Sequence, residues 1–369
     1  MGPTHVKINH PNLIHNVKLL KRMIGVDVKL MTVVKANAYG HGMIEVARTL
    51  EKEGSAYFAV AFPEEGLQLR RAGIKTAILV MGAHLDEDIA LQVDNNLDIT
   101  ITRTDQLEKL NSYCMHMRKN VRIHFKINTG MNRVGLDEKD FFSAFRQASA
   151  YPNIEIGGVY SHLSSSDEVD QSYTQKQLQR FRDIRDKIKN EADGVLFHLA
   201  NSAAIVQNPA YHLDMVRAGI MLYGNPSNPD FNIDDDFREV MSFHTKIVLI
   251  REAEKDQPVS YSRRYYTKGK TRIAVLPVGY SDGYNRALTN KGFVLIQGKR
   301  YPLAGTVCMN HVLIDIGQNP DIMIGEDVVL FGKQGDEQIS ISEIARQLNT
   351  IPYEVTCWIS SQVDKVHQY

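Results

Sequence analysis

The feature that most constrains the fold of this chain is an alternation of short apolar runs with helical segments over its first 225 residues. Eight runs rich in apolar or β-branched residues occupy 29–34, 57–62, 77–81, 97–102, 121–127, 154–163, 195–200 and 215–220. Strand-like runs that alternate with helices predict parallel strands joined by crossover helices. Eight such units over about 250 residues are what a closed (β/α)8 TIM-type barrel requires. We therefore predict an α/β chain that begins with this barrel.

The segments between the runs have helical periodicity. Leu13, Val17, Leu20 and Ile24 recur at three- and four-residue spacing, as on the buried face of a helix. An open, doubly wound sheet is the alternative arrangement for alternating strands and helices. Such a sheet usually has a glycine-rich GxGxxG turn after an early strand, whereas this chain has KANAYGHG at 35–42. The pattern therefore favours the barrel.

The hydrophobic pattern of the sequence changes near residue 235. Beyond it, helical periodicity is largely absent and strand-like runs are separated by Gly, Asn and Asp. This pattern predicts a second, mostly-β domain with one late helix near SEIARQL at 342–348. The early strand HVKI precedes the barrel and is expected to join the second sheet. We predict a barrel over 9–236 and a β domain over 237–369, joined by the N-terminal strand within 1–8.

Charge and composition argue against several classes of protein. The chain has 43 basic and 43 acidic residues, so no global field attracts nucleic acid or anionic lipid. No apolar run reaches the roughly 18 residues of a membrane span, and the N-terminus lacks the apolar core of a signal peptide. Cys114, Cys308 and Cys357 match neither a disulfide framework nor a zinc motif. We expect a cytoplasmic protein with no metal site, nucleic-acid partner or membrane partner.

The segment VVKANAYGHG at 33–42 places Lys35 where the first barrel strand ends. A lysine there is usually a snorkelling or ion-paired side chain, but an amine shielded from water is a nucleophile that forms Schiff bases. Barrel enzymes carry their chemistry at the C-terminal ends of strands. Other predicted strand ends carry Lys126, Arg133, His162, His198, Asn201, Ser202, Arg217 and Gly219. Together these cations and N–H donors indicate a site for a planar, anionic ligand.

Eight motifs occur in one order along the chain: VVKANAYGHG, KxNTGMNRxG, HxANSA, VRAGI, VSY, GYSDGYNR, GTVCMN and IPYE. Together they resemble the pyridoxal-phosphate-dependent alanine racemase family, from about residue 5 to about 363. The resemblance implies an isomerase that interconverts L-alanine and D-alanine through a pyridoxal-phosphate aldimine and supplies D-alanine for cell-wall peptidoglycan. It also implies a head-to-tail homodimer with its active sites at the interface.

The resemblance implies a role for each matching residue. Lys35 would hold the cofactor and serve as the base on one face of the substrate, and Tyr265 of the partner subunit would serve the other face. Arg133 and the backbone at Met309 would bind the substrate carboxylate. The entrance would be lined by Tyr280 and Tyr353. The cofactor contacts would come from Lys35, Tyr39, His162, His198, Asn201, Ser202, Arg217, Gly219, Ile220 and Tyr353.

Three of these implied roles depend on charge. Arg217 would face the pyridine nitrogen, oriented by His198, and would give it no proton because arginine stays protonated. The resulting weaker electron sink would restrain transamination.

Lys126 matches a lysine that many members carry as a carbamate, which would hold Arg133. Free tyrosine has a pKa of about 10, so Tyr265 would need nearby cations. The candidates for these cations are Arg263, Arg264 and the His162–Arg217 group.

The chain departs from the commonest family pattern at Asn128, Thr306 and Asn310, which leaves the substrate range and the carbamylation of Lys126 open. A racemase of serine or of broader specificity is the nearest alternative. A barrel-type pyridoxal-phosphate amino-acid decarboxylase is another, although it would not need Tyr265 as a second base. A non-catalytic pyridoxal-phosphate carrier is the third alternative, and the predicted β domain argues against it.

Overall fold

The computed structural model describes residues 2–369 and divides the chain into two compact units. The first unit comprises residues 14–38 and 42–222, and it contains the barrel. The second comprises the residues up to 13, together with 39–41 and 223–369, and it is mostly β-structure. The boundary placed between 236 and 237 from the sequence stays a prediction.

The first unit is built on eight parallel strands that form one nearly closed sheet. Their bounds are Lys29–Val33, Tyr57–Val60, Ala77–Val80, Asp98–Ile101, Val121–Lys126, Ile154–Tyr160, Leu196–His198 and Met215–Ala218. The first strand pairs with both the second and the eighth. Backbone hydrogen bonds from Asp214 N to Phe197 O (3.1 Å) and from Arg217 N to Ala200 O (3.0 Å) join the last two strands. The predicted barrel is therefore confirmed, and strand ends from distant parts of the sequence lie together.

Helices connect these strands, and each helix buries an apolar stripe against the sheet. The helix His10–Ile24 buries Leu13, Val17 and Leu20 completely, as their spacing predicts. The longer helices that follow are Met43–Lys52, Pro63–Arg71, Asp88–Asp94, Gln106–Met117, Glu138–Ser149, Ser172–Ile188 and Ser202–Gln207. Short 3-10 helices occupy Pro209–Tyr211 and Ile220–Tyr223.

The second unit contains a seven-stranded sheet, a three-stranded sheet and a two-stranded ribbon. Its strands are His5–Asn9, Met241–Lys246, Leu249–Ala253, Pro258–Val259, Tyr265–Tyr266, Thr271–Leu276, Phe293–Ile296, Lys299–Pro302, Val312–Asp315, Asp327–Gln334, Glu337–Ile339 and Asp364–Gln368. The strand His5–Asn9 runs antiparallel to Met241–Lys246 and parallel to Asp364–Gln368. The N-terminal strand thus lies inside the largest sheet of this unit.

Helices in the second unit are few and short. The predicted late helix is present as Ile341–Leu348, and a second helix follows at Pro352–Cys357. That second helix begins at a proline, whose missing N–H is not needed in the first turn. Three 3-10 helices, Tyr261–Arg263, Tyr280–Asp282 and Arg286–Leu288, lie in the connections between strands.

Candidate active site

Lys35 follows the first barrel strand by two residues and opens a turn of rare backbone conformation. The four residues 36–39 all have φ between 51° and 55°. Each non-glycine residue in this left-handed region costs roughly 1 kcal/mol or more. Such a run persists only where surrounding contacts hold it, so the backbone beside Lys35 is held in one conformation.

Two side chains hold this turn within the barrel unit. Oε1 of Glu65 accepts a hydrogen bond from Ala36 N at 2.6 Å, and Oε2 accepts one from Ala61 N at 2.8 Å. Oδ1 of Asn37 accepts from Met43 N at 2.8 Å. Glu65 therefore ties the Lys35 turn to the end of the second strand. The sequence interpretation missed this function because an acid in the first turn of a helix is usually explained by the helix dipole.

Arg217 is a buried cation held from several sides at the end of the eighth strand. Its Nη1 donates to His198 O at 2.8 Å and to His198 Nδ1 at 3.1 Å. Its Nη2 donates to Ser161 O at 2.6 Å and Leu199 O at 2.9 Å, and lies 3.3 Å from His162 Nδ1. Burial lowers the pKa of Arg217 to about 10, which leaves it protonated at neutral pH. The predicted association of Arg217 with both histidines is present.

A second cation lies close to this group. Lys126 is 7% exposed, and its Nζ is 4.4 Å from the centre of the Tyr160 ring. Burial, and then the charges of Arg217 and Arg133, lower the pKa of Lys126 well below its usual value. Burial and the same cations also lower the pKa of His162. Repulsion among these cationic groups is reduced when an anion binds beside them, so the site favours an anionic ligand.

A small cavity beside these groups is lined by Lys126, Arg133 and His162. Ser161, Asn128 and Thr129 are its other polar lining residues, and none of the described residues that line it is acidic. Asn128 shapes the wall, because its Oδ1 accepts hydrogen bonds from the backbone N–H groups of residues 130 and 132. The residues that line this cavity therefore supply donors and positive charge that would attract an anionic group.

The residues expected to bind phosphate also meet in the barrel unit. Asn201 caps the helix Ser202–Gln207, with its Oδ1 accepting from Ala204 N at 3.1 Å. Gly219 N donates to Oγ of Ser202 at 2.8 Å. Ile220 follows immediately and begins a 3-10 helix. The hydroxyl and the backbone N–H groups expected to receive a phosphate are thus adjacent.

The second unit groups two further residues that were predicted to bind the cofactor. The ring centres of Tyr39 and Tyr353 are 5.6 Å apart, and Tyr223 packs 5.2 Å from Tyr39. Gly40 approaches the helix that contains Tyr353 so closely that a Cβ would lie 2.3 Å from Thr356 O. This close contact explains the glycine that follows Tyr39.

Tyr265 lies in the two-stranded ribbon and is hydrogen bonded to an acid. Its hydroxyl donates to Oδ2 of Asp315 at 2.5 Å. Burial, the hydrogen bond and the charge of Asp315 all raise the pKa of Tyr265. The direct partner of the phenol within the chain is thus an acid, and the expectation of nearby cations stays a prediction. The sequence analysis did not single out Asp315.

Met309 and Tyr280 lie beside one another on the second unit. Met309 O accepts from Ser281 N at 3.1 Å, and Tyr280 N donates to Cys308 O at 3.1 Å. Met309 is 54% exposed and Tyr280 is 43% exposed within the single chain. Met309, whose backbone was predicted to contact the substrate, and Tyr280, predicted to line the entrance, therefore both lie at the surface of this unit.

Two of the unusual positions also lie in the second unit. Thr306 is 2% exposed, and its hydroxyl donates to Tyr261 O at 2.9 Å. Asn310 donates from Nδ2 to Ser281 Oγ at 2.9 Å. Each side chain therefore has a defined partner within the chain.

Comparison with known families covers nearly all of the sequence. Residues 8–226 match the family described as "Alanine racemase, N-terminal domain". Residues 240–367 match the family described as "Alanine racemase, C-terminal domain". The chain belongs to the alanine racemase family.

Individual members of the alanine racemase family match over their full length. The alanine racemase of Halothermothrix orenii is 39% identical over 367 residues, which cover 99% of this chain and 97% of that protein. Alanine racemase 2 of Caldanaerobacter subterraneus subsp. tengcongensis is 39% identical over 369 residues, covering 100% and 95% of the two chains. The resemblance stated from the motifs is confirmed.

Solved structures of alanine racemases share the fold. That of Clostridium difficile 630 superposes with a TM-score of 0.93 at 36% identity and covers 100% of this chain and 96% of its own. The alanine racemase of Bacillus anthracis, solved with bound L-Ala-P, gives a TM-score of 0.90 at 33% identity with coverage of 100% and 96%. Within residues 2–369, no helix combines the length and the apolar character needed to span a membrane.

Proposed function

We propose that this chain is a pyridoxal-phosphate-dependent racemase that interconverts L-alanine and D-alanine. The observation that carries the proposal is the buried Arg217 held between His198 and His162, in the barrel unit that also holds Lys35. An arginine that faces the cofactor ring would leave the cofactor a weak electron sink. A weak sink suits proton exchange at the α-carbon better than reactions that need strong electron withdrawal. Membership of the alanine racemase family supports the same reaction.

The residues present fit the cofactor. Pyridoxal phosphate combines a phosphate with a planar pyridine ring, and the chain offers the hydroxyl of Ser202 as a donor for the phosphate, beside Gly219, whose N–H donates to Ser202 Oγ. The hydrogen bonds of Arg217 leave from Nη1 and Nη2, so Nε would be the atom that faces the ring nitrogen. The residues that would hold the cofactor are Lys35, Tyr39, His162, His198, Asn201, Ser202, Arg217, Gly219, Ile220 and Tyr353. When bound through Lys35, the cofactor would withdraw electrons from the substrate α-carbon and make its proton removable.

Racemisation needs one proton-transfer group on each face of the substrate. We assign Lys35 to one face and Tyr265 of the partner subunit to the other. The raised pKa of Tyr265 means that the phenol carries its proton at neutral pH, so it is ready to deliver that proton. Arg133 would bind the substrate carboxylate, with the backbone at Met309 of the partner subunit, and Tyr280 and Tyr353 would line the entrance.

This assignment requires a homodimer, since Lys35 and Tyr265 would come from different subunits. The exposure of Tyr280 and Met309 in the single chain supports a surface that a second copy covers. Tyr261 and Tyr266, which flank Tyr265, are 68% and 51% exposed. We place the enzyme in the cytoplasm, where it would supply D-alanine for peptidoglycan.

The test is a product assay on purified protein reconstituted with pyridoxal phosphate. L-alanine should yield D-alanine without release of CO2, and borohydride reduction should leave the cofactor attached to Lys35. CO2 release would favour the decarboxylase alternative, and faster turnover of serine than alanine would change the substrate. An adduct on another lysine would refute the assignment.

The dimer is tested by mixing two inactive variants. Lys35→Ala and Tyr265→Phe are each expected to abolish racemisation, and mixing them should restore part of the activity. A mixed dimer contains one site that has both native residues, so the recovery depends on sharing between subunits. If the mixture stays inactive although the two variants exchange subunits, the shared-site assignment is wrong.

A further inference from the structure

A row of polar side chains crosses the barrel interior behind the candidate active site. Nη1 of Arg217 lies 3.1 Å from His198 Nδ1, and His198 Nε2 lies 3.1 Å from His124 Nδ1. His124 Nε2 then lies 3.4 Å from Oδ2 of Asp98. Both histidines are fully buried, and Asp98 is 7% exposed. We call these four residues the relay.

The direction of the proton donors in the relay follows from its first member. Arginine has only donors, so His198 Nδ1 must accept. A neutral His198 therefore carries its proton on Nε2 and donates to His124 Nδ1. His124 in turn carries its proton on Nε2, which points towards Asp98. Each ring thus adopts a single tautomer, set by a cation at one end and a carboxylate at the other.

The barrel makes room for this arrangement. A Cβ on Gly158 would lie 2.4 Å from His124 Nδ1, so the adjacent strand needs a glycine to admit the ring. His124 Nε2 and Asp98 Oδ2 are both fully buried, and neither makes a hydrogen bond of standard geometry with any of residues 2–369. Buried polar atoms normally find a partner, and at 3.4 Å these two can bond to each other after a small shift.

We propose that Asp98 and His124 are positioning residues that fix the tautomer of His198 and, through it, the orientation of Arg217. Their importance for catalysis rests on the proposed function, because Arg217 acts there on the cofactor. The chain of tautomers itself does not depend on that function. It is a property of the protein that is measurable without cofactor or substrate.

The proposal predicts an unequal effect of two substitutions. In Asp98→Asn, the new amide can donate to His124 Nε2. Both imidazole rings can then move their proton from Nε2 to Nδ1. His198 would then present an N–H to the donor-only Arg217, and that contact would be lost. Glu155→Gln is the matched control, since Glu155 lies at the same end of the barrel, pairs with Arg122 at 2.8 Å and is 62% exposed.

The experiment is long-range 1H–15N correlation on the full chain labelled at its 13 histidines. His124→Asn identifies the signals of His124, and His198→Asn identifies those of His198. In the unsubstituted protein, without and with pyridoxal phosphate, both rings should be neutral and protonated at Nε2. Asp98→Asn should move His198 towards the Nδ1-protonated form, and Glu155→Gln should leave it unchanged.

The unsubstituted protein alone is a sufficient test if Asp98→Asn does not fold, because an Nδ1-protonated His198 or His124 would overturn the proposal. A folded Asp98→Asn protein whose His198 keeps its proton on Nε2 would overturn it as well. With alanine as substrate, Asp98→Asn should lower kcat about 3- to 10-fold, as expected for one member of a coupled polar network. KM should change less than kcat. If the protein racemises alanine but either histidine is protonated at Nδ1, the relay is refuted and the proposed function stands. If both histidines are protonated at Nε2 but alanine is not racemised, only the proposed function is refuted.

Discussion

The hydroxyl of Tyr265 donates a 2.5 Å hydrogen bond to Oδ2 of Asp315. The other carboxylate oxygen of Asp315 accepts from Thr271 Oγ1 at 2.5 Å and from Gly317 N at 3.0 Å. The carboxylate is thus held on both sides and faces the phenol with a fixed negative charge. That charge disfavours the phenolate and contributes to the raised pKa of Tyr265.

Substitution of Asp315 by Asn should therefore lower the pKa of Tyr265. In the reaction direction in which Tyr265 removes the proton, the rate increases with pH as the phenol ionises. Loss of the negative charge should move that increase to lower pH. The measurement is kcat/KM against pH in both directions, with Asp327→Asn, which removes a carboxylate paired with Lys246, as the control. An identical profile in Asp315→Asn and the control would show that Asp315 does not influence the phenol.

Lys126 should be found as a carbamate. Burial and the neighbouring cations lower its pKa, which increases the fraction of neutral amine, and the neutral amine is the form that reacts with CO2. The amine nitrogen forms a bond to the carbon of CO2 and releases one proton to solvent, which leaves an anion beside Arg133 in place of a disfavoured cation. Native mass spectrometry should show one added CO2 per chain, lost in carbonate-free buffer and absent in Lys126→Ala. Lys29→Ala, at the exposed start of a strand, is the control. An unmodified lysine with full activity at low carbonate would contradict this expectation.

Glu65→Gln should weaken the turn that carries Lys35. Glutamine has a single acceptor oxygen, so it cannot serve both Ala36 N and Ala61 N, and its amide would face one of these donors. We expect a loss of about 1–3 kcal/mol in the free energy of unfolding and a lower yield of reduced cofactor adduct on Lys35. Glu64→Gln, one residue earlier and exposed, should change neither quantity. Equal stability of the two variants would refute the role of Glu65.

Gly40→Ala should destabilise the protein more than Gly25→Ala. Both glycines have positive φ, 84° and 77°, so the backbone penalty is similar. Only Gly40 adds a clash, since its Cβ would meet Thr356 O at 2.3 Å while that of Gly25 meets nothing within 4 Å. We expect a difference of about 1–3 kcal/mol between the two variants in urea unfolding. A difference near zero would show that the backbone near Thr356 yields to the new side chain.

Much of the fold could be predicted from local patterns. The eight barrel strands lie within the eight apolar runs, because a strand buried on both faces must be apolar at almost every position. The predicted strand ends were less accurate. The last three residues of the sixth run, 154–163, lie outside the strand, in the loop that carries His162. The second helix at Pro352–Cys357 was missed since six residues are too few to show a period.

The motif residues were predicted as a set, and the structure brings several of them together. Arg217, His162 and His198 share hydrogen bonds, and Ser202 bonds to Gly219. Their supporting residues were not predicted. Glu65 is an acid in a helix first turn and Asp315 ends an ordinary strand, so nothing in the neighbouring sequence distinguishes either from a solvated carboxylate.

The sequence by itself determined the barrel, the mostly-β unit and the family, since periodicity and ordered motifs are properties of neighbouring residues. Only the tertiary structure decided that Asp98 faces His124, that Glu65 holds the turn after Lys35, and that an acid bonds to Tyr265. Each of these contacts joins residues 26 or more positions apart. Their energy depends on burial and on the direction of single hydrogen bonds, which the closed sheet creates and a local pattern does not encode.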